Sequence, residues 1–371
     1  MSNSRGIVVS QPSQTPIEET ESQIGTFSII QWIHTLLHRS NPSPPSFTPL
    51  STTTPDRLSH SQAEQPIDLD SYDPSAQKDT VLYLAYGSNL CDAKFQGDRA
   101  IRPLSAVNVH VPSLKLAFDL PGLPYMEPCF ANSNLRDPES DEKHPSEDKT
   151  DSDNSDENDG AGSALLPKDP PPNHRNTPWT KGLVGVVYEV TPSDYAHIIA
   201  TEGGGGSYHD IVVPCFPIDA NLPSLPTPTA PSFNAHTLYS PPLDPGAVGI
   251  PRPDPGYAQA SARYLKMLAD GGRERGLPGD YRRWLEGLEA YTVTTRRQRV
   301  GSVVVGVVWL PMIVLLFVLT RVCQGADGRS PGWLVGAQKA VFQAVWVSYD
   351  TIFKSVFGDG ERTVHDGEKD W

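Results

Sequence analysis

The chain has 371 residues, a formal net charge of −14 and 37 prolines, and only 37% of its residues are hydrophobic. That apolar content is below the globular average, so part of the chain lacks the surface to build a core. The acidic balance offers nothing to neutralise a stripe of phosphates and excludes nucleic acid as a partner, although most of the excess sits in one run, residues 137–159.

The first 22 residues hold no long apolar stretch behind a basic start, so no secretory leader is expected. Residues 1–78 are rich in Ser, Thr, Pro and Gln and read as a disordered N-terminal region. Within it Phe27, Ile29, Ile30, Trp32, Ile33, Leu36 and Leu37 recur at helical spacing and mark a short amphipathic island.

A folded domain is expected over residues 79–292. The apolar run Val81–Ala85 reads as a buried strand, ended by Gly87, Ser88 and Asn89. Residues 106–111 and 114–120 have strand character, with Pro112 and Ser113 at the turn. Residues 133–178 are first acidic and then proline-rich, and oppose a core. They read as a surface insertion rather than a domain boundary, because the strand at 182–190 needs partners from before the gap. Thr191 then suits a helix N-cap, with Pro192 at the first helical position. That helix carries Tyr195, Ile198 and Ile199 into Glu202, and four glycines at 203–206 stop it. Residues 208–216 resume as a strand, and 235–239 suit one more. Between 255 and 290 two helices follow. Gly271 and Gly272 end the first, which carries Tyr257, Ala260, Tyr264, Leu265, Met267 and Leu268. Leu277 and Pro278 open the second, which carries Tyr281, Trp284, Leu285 and Leu288.

Residues 300–319 contain no charge. About 20 apolar residues at a rise of ~1.5 Å span the ~30 Å hydrocarbon core, and Pro311 is tolerated in a membrane helix. A buried core helix competes, but soluble domains rarely need a helix apolar on all faces. A single-pass transmembrane helix is therefore expected at 300–320, and one span excludes a transporter. Arg296, Arg297 and Arg299 outnumber Arg321 across it, which places the upstream domain in the cytosol. Arg329 and Lys339 count against that orientation. In the tail, 325–371, aromatic and aliphatic positions from Trp333 to Phe353 suit an interfacial amphipathic helix, with a second, re-entrant membrane contact as the alternative.

Four cysteines, Cys91, Cys129, Cys215 and Cys323, show neither C-x-x-C spacing nor a zinc pattern. They fit a reducing compartment and small buried side chains.

Two places carry candidate chemistry. The turn Tyr86-Gly87-Ser88-Asn89-Leu90 leaves a buried strand with a glycine and successive N–H groups that suit an anion nest. Glu202 precedes four glycines and is a candidate general base. On local chemistry alone, an ordinary turn and a helix-end glutamate are the simpler readings.

Together these segments resemble the γ-glutamylcyclotransferase family. VLYLAYGSNL (81–90) is similar to its first strand and substrate loop. GLVGVVYEV with TPSDY (182–195) is similar to its strand and connecting helix. TEGGGGSY (201–208) is similar to the segment of its catalytic glutamate and a following pocket tyrosine. Residues 256–291, with a central G-L-P turn, are similar to its closing helical pair. The resemblance covers roughly residues 80–292 in the family's order. Asn89 favours its YGSN-type branch. The acidic insertion and the four glycines depart from the compact animal enzyme, and the glycines bear on where Tyr208 stands. The long acidic and Pro/Ser-rich segments have a fungal look, and in fungi such enzymes also accompany the trimming of glutathione adducts.

The resemblance implies an α+β fold, a small mixed β-barrel with packed helices. It implies a lyase that converts a γ-glutamyl amino acid or peptide into 5-oxoproline, without cofactor or metal. Glu202 would be general base and then acid; Tyr86, Gly87, Ser88, Asn89, Leu90 and Tyr208 would bind the small-molecule substrate. The chemistry requires neither His209 nor Cys91. A non-catalytic ligand-binding or scaffold module on the same fold is the alternative, which the presence of Glu202 disfavours.

Overall fold

The computed structural model describes residues 47, 49–69, 71–77, 79–136, 179–201, 208–240, 252, 254, 256–323 and 331–364. The amphipathic island at 27–37, most of the acidic insertion (137–178), Glu202 and the four glycines lie outside the described residues.

Helix α1 (Pro55–His60) leads into strands β1 (Val81–Ala85), β2 (Ser105–Val111), β3 (Leu114–Leu123), β4 (Glu127–Leu135) and β5 (Leu183–Val190). Helix α2 (Pro192–Thr201), strands β6 (His209–Pro217) and β7 (Phe233–Tyr239), and helices α3 (Ala262–Glu274) and α4 (Gly279–Gly287) complete the domain. Five strands close a barrel in the order β1-β5-β2-β6-β7, and β3 and β4 form a separate two-stranded sheet. All barrel pairings are antiparallel except β1 with β7. The expected mixed barrel with packed helices is present.

The unbroken apolar run of β1 has a simple cause. Leu82 and Leu84 meet Val109, Val187, Val213 and Ala235, alternate residues drawn from all five strands, as in a barrel lumen. Val81, Tyr83 and Ala85 face the other way and join Phe95, Tyr188, Leu268 and Tyr281. Both faces of the strand are covered, so period-2 alternation disappears.

Three boundaries differ from expectation. Strand β4 continues to Leu135, with Ser133 fully buried, so the first residues of the 133–178 stretch belong to the sheet. Helix α3 does not stop at Gly271 and Gly272 but runs through them to Glu274, and Gly276 (φ 61°) makes the turn. The third difference lies before the barrel, where residues up to 78 were expected to be disordered. Thr52 pairs with Ala106, the Thr53 and Ser105 hydroxyls lie 2.8 Å apart, and Leu69 and Tyr72 are buried. Polar ties and scattered apolar anchors without a regular period hold this strap, which is why hydrophobic periodicity missed it.

Beyond the domain, α5 (Arg296–Cys323), α6 (Gly332–Ser348) and the short α7 (Lys354–Phe357) follow. Among the described residues, α5 is the one helix long and apolar enough to cross a membrane. Helix α6 packs along it. Gln338 Nε2 donates to Thr320 Oγ1 at 2.6 Å near one end, and Val305 meets Trp346 and Tyr349 near the other. The chain therefore doubles back. The tail then rejoins the domain: Tyr125 N–H donates to the Gly360 carbonyl at 2.7 Å, and Thr292 N–H to Thr363 Oγ1 at 2.9 Å. Arg252 holds the buried Glu361 at 2.6 Å. The tail thus lies against the barrel domain, and α5 and α6 form a helical hairpin between them.

Candidate active site

The loop after β1 is a short 3-10 turn, Ser88–Leu90, entered through Gly87. Its closing bonds run from the N–H groups of Leu90 and Cys91 to the carbonyls of Gly87 and Ser88, at 3.0 and 3.2 Å. Gly87, Ser88 and Asn89 supply the first N–H groups of the turn.

Each side chain of the loop has a definite place. Tyr86 is buried, and its hydroxyl donates to the Leu238 carbonyl on β7 at 3.3 Å. Asn89 is buried and turned inward: its amide donates to the Tyr83 hydroxyl at 2.9 Å, and the Tyr188 hydroxyl donates to the Asn89 carbonyl at 3.3 Å. Leu90 is fully buried in the core beside Phe95. Gly87 and Ser88 are the loop's two partly exposed residues.

Helix α3 braces this loop from outside. A Cβ on Gly271 would stand 2.6 Å from the Cys91 nitrogen and the Leu90 carbonyl carbon, so only glycine allows the helix this close. Ser261 caps the helix by accepting from Tyr264 N–H at 3.1 Å. The cap places the Tyr264 hydroxyl 3.2 Å from Ala131 N–H, which donates to it, and 3.4 Å from where a side chain on Gly87 would begin. Beside Ala131, Asn132 is buried and donates to the Ser240 carbonyl at 3.1 Å. Sequence reading had counted Tyr264 as helix apolar face and had not singled out Asn132. Nothing in their spacing marks them, since their roles arise when α3 and β4 meet the loop.

Tyr208 is half-buried against the same core cluster, directly before β6. Its neighbour His209 pairs with Tyr239, next to the Leu238 carbonyl that holds Tyr86. His209 is exposed. Burial pushes the Cys91 thiol pKa up, helped by Glu274, which disfavours a thiolate there. Among the described residues no group of three or more His, Cys, Asp and Glu is placed to hold a metal.

The chain is 31% identical over 288 residues to a protein named gamma-glutamyl cyclotransferase gliK of Aspergillus fumigatus, covering 77% of this chain and 91% of that one. The chain belongs to the γ-glutamyl cyclotransferase family. A second γ-glutamyl cyclotransferase, aclK of Aspergillus oryzae, is 28% identical over 304 residues, covering 80% and 94%. The family model described as the AclK C-terminal domain matches residues 295–356, the stretch of the helical hairpin. A solved structure titled gamma-glutamyl cyclotransferase aligns with a TM-score of 0.35 at 17% identity, covering 58% of this chain and 92% of that one. In this γ-glutamyl cyclotransferase the loop Tyr86–Leu90 and Tyr208 lie among the described residues; the glutamate expected from the sequence precedes Tyr208 by six positions, outside them.

Proposed function

We propose that the protein converts a γ-glutamyl amino acid, glutathione or a glutathione conjugate into 5-oxoproline and a free amine. The observation that carries this is the loop Tyr86–Leu90, held by Tyr83, Tyr188 and α3 with its leading N–H groups at the start of a turn. The names of the fungal relatives support the same reaction class.

Glu202 takes a proton from the substrate's α-ammonium. The freed amine attacks the γ-carbonyl carbon, forming the ring C–N bond. The bond to the outgoing nitrogen then breaks as that nitrogen receives the proton from Glu202, and the second proton shed by the ring nitrogen on becoming a lactam follows the same way, so the product leaves as an ammonium ion. One carboxylate serves both transfers, so no net proton is consumed. The N–H groups of Gly87, Ser88 and Asn89 hold the α-carboxylate or the developing oxyanion. Tyr86 and Tyr208 line the approach, and Leu90 supports the loop from the core.

The test is 5-oxoproline release by the full-length protein in detergent, from γ-glutamyl-alanine, glutathione and a glutathione S-conjugate. Turnover that disappears in Glu202→Gln supports the reading and ranks the substrates. A folded protein inert toward all three leaves a ligand-binding module on the same fold.

We propose further that α5 lies in a membrane, with the barrel domain on the cytosolic side. Arg296, Arg297 and Arg299 at its N-terminal end support that side.

A further inference from the structure

We infer that α5 and α6 form a membrane-embedded helical hairpin whose two ends lie on one face of the bilayer, with barrel and C-terminal tail together on that face. The inference rests on the reading of α5 as a membrane segment and adds a second helix, a topology and a docked tail.

The apolar surface is confined to the hairpin. Among the described residues, every exposed large hydrophobic side chain except Leu104 and Leu135 lies between Val300 and Val356. Only 17% of the most apolar window of α5 is buried within the protein, so this is not a core helix. At about 100° per residue, its exposed positions, such as Val303, Val307, Val308, Met312 and Phe317, sweep more than half of the helix circumference. A folded partner would cover one face; hydrocarbon covers all of them.

The polar groups fit the same occupant. Helix α6 carries one charge, the exposed Lys339 in its middle, about 10 Å from the tip at ~1.5 Å per residue, a distance its long stem shortens by reaching toward the interface. Gln338 faces α5 and is satisfied by Thr320 at 2.6 Å, as a polar group between helices in lipid must be. At the base, Arg296, Arg297, Arg299, Asp350 and Lys354 gather beside the domain.

Close packing fixes how far the arm stands out. A Cβ on Gly301 would lie 2.7 Å from Phe357 Cβ, and one on Gly306 would lie 2.8 Å from Met126 Cε. Residues 301–306 are thus clamped against α7 and the β3–β4 turn. From 307 to 323 the arm extends about 25 Å at ~1.5 Å per residue, most of a ~30 Å hydrocarbon core. The return is equally fixed, since Tyr125 N–H donates to the Gly360 carbonyl at 2.7 Å and its hydroxyl donates to the Gly358 carbonyl at 2.7 Å.

The experiment uses the full-length chain with an epitope tag at each end, inserted into microsomes. After carbonate washing the protein is expected in the pellet. Protease added without detergent is expected to remove both tags, with near-complete loss of both signals while a lumenal marker stays intact. A C-terminal tag that survives until detergent is added, while the N-terminal tag is lost, overturns the hairpin and leaves a single crossing. Release by carbonate overturns the membrane reading itself.

Discussion

The side-chain amide of Asn89 donates to the hydroxyl of Tyr83, 2.9 Å away, so the loop's asparagine points into the protein rather than at a ligand. Both residues are buried, Tyr83 at the centre of β1 and Asn89 in the loop that follows it. The loop's backbone is therefore registered on the same strand that delivers it.

Tyr83→Phe and Asn89→Ala should both act through position. Losing a buried hydrogen-bond partner costs about 1–3 kcal/mol, and a displaced binding loop lowers turnover about 10- to 100-fold. Urea unfolding alongside 5-oxoproline release would check this. A Tyr83→Phe protein with full activity would show that the bond does not position the loop.

Gly271 and Gly272 are neighbours in α3 with opposite expectations. An alanine at 271 would meet the Cys91 nitrogen at 2.6 Å, whereas one at 272 meets nothing nearer than 3.6 Å. Gly271→Ala should destabilise by about 1–3 kcal/mol and disturb the loop. Gly272→Ala should stabilise by up to about 1 kcal/mol through helix propensity. Thermal melts of the two variants decide it.

The strap before β1 should carry a pH signature. His236 Nδ1 lies 2.7 Å from Asp210 and its Nε2 lies 3.3 Å from Glu64 of the strap. Burial alone would lower the His236 pKa, but the hydrogen bonds and charges of Asp210 and Glu64 override it and raise it to about 9. Because the folded value exceeds the unfolded one, the stabilisation is complete below about pH 6.5 and is lost as pH rises through about 9. The span corresponds to about 3 kcal/mol. Melting temperatures between pH 6 and 9.5 should fall in the wild type and flatten in His236→Gln. A fragment beginning at residue 80 should lose part of the same slope, because it lacks Glu64.

Arg252 ties the tail down. It pairs with Glu361 at 2.6 Å and with Asp350 at 2.7 Å, and its guanidinium lies 4.1 Å from the Trp346 ring centroid. Removing it leaves a buried carboxylate with the more distant Lys354, at 3.6 Å. Arg252→Ala should weaken tail docking by about 3–5 kcal/mol. Limited proteolysis should then cut after α7 much faster than in the wild type, with barrel activity retained.

Much of the domain was legible in the chain. The apolar runs at 81–85 and 183–190 announce strands because both of their faces are buried, and the Thr191–Pro192 cap announces α2: Asp194 N–H donates to Thr191 Oγ1 at 3.1 Å. The uncharged stretch after Arg299 announces α5 because its surface is apolar all round. The loop and Glu202 were singled out by resemblance, since their local chemistry is ordinary.

By itself, then, the sequence determined what depends on neighbours along the chain: strand and helix segments, the substrate-loop string, the acidic run and the apolar helix. Tertiary structure alone decided what depends on distant partners meeting. Asn89 turns inward because Tyr83 and Tyr188 wait there. Gly271 sits inside a helix because Cys91 crosses it. The strap is ordered because Glu64 finds His236. The tail returns because Tyr125 and Arg252 hold it. Hydrophobic periodicity records only whether a side chain leaves water. It does not record which hydrogen bond or ion pair receives a polar group more than a hundred residues away.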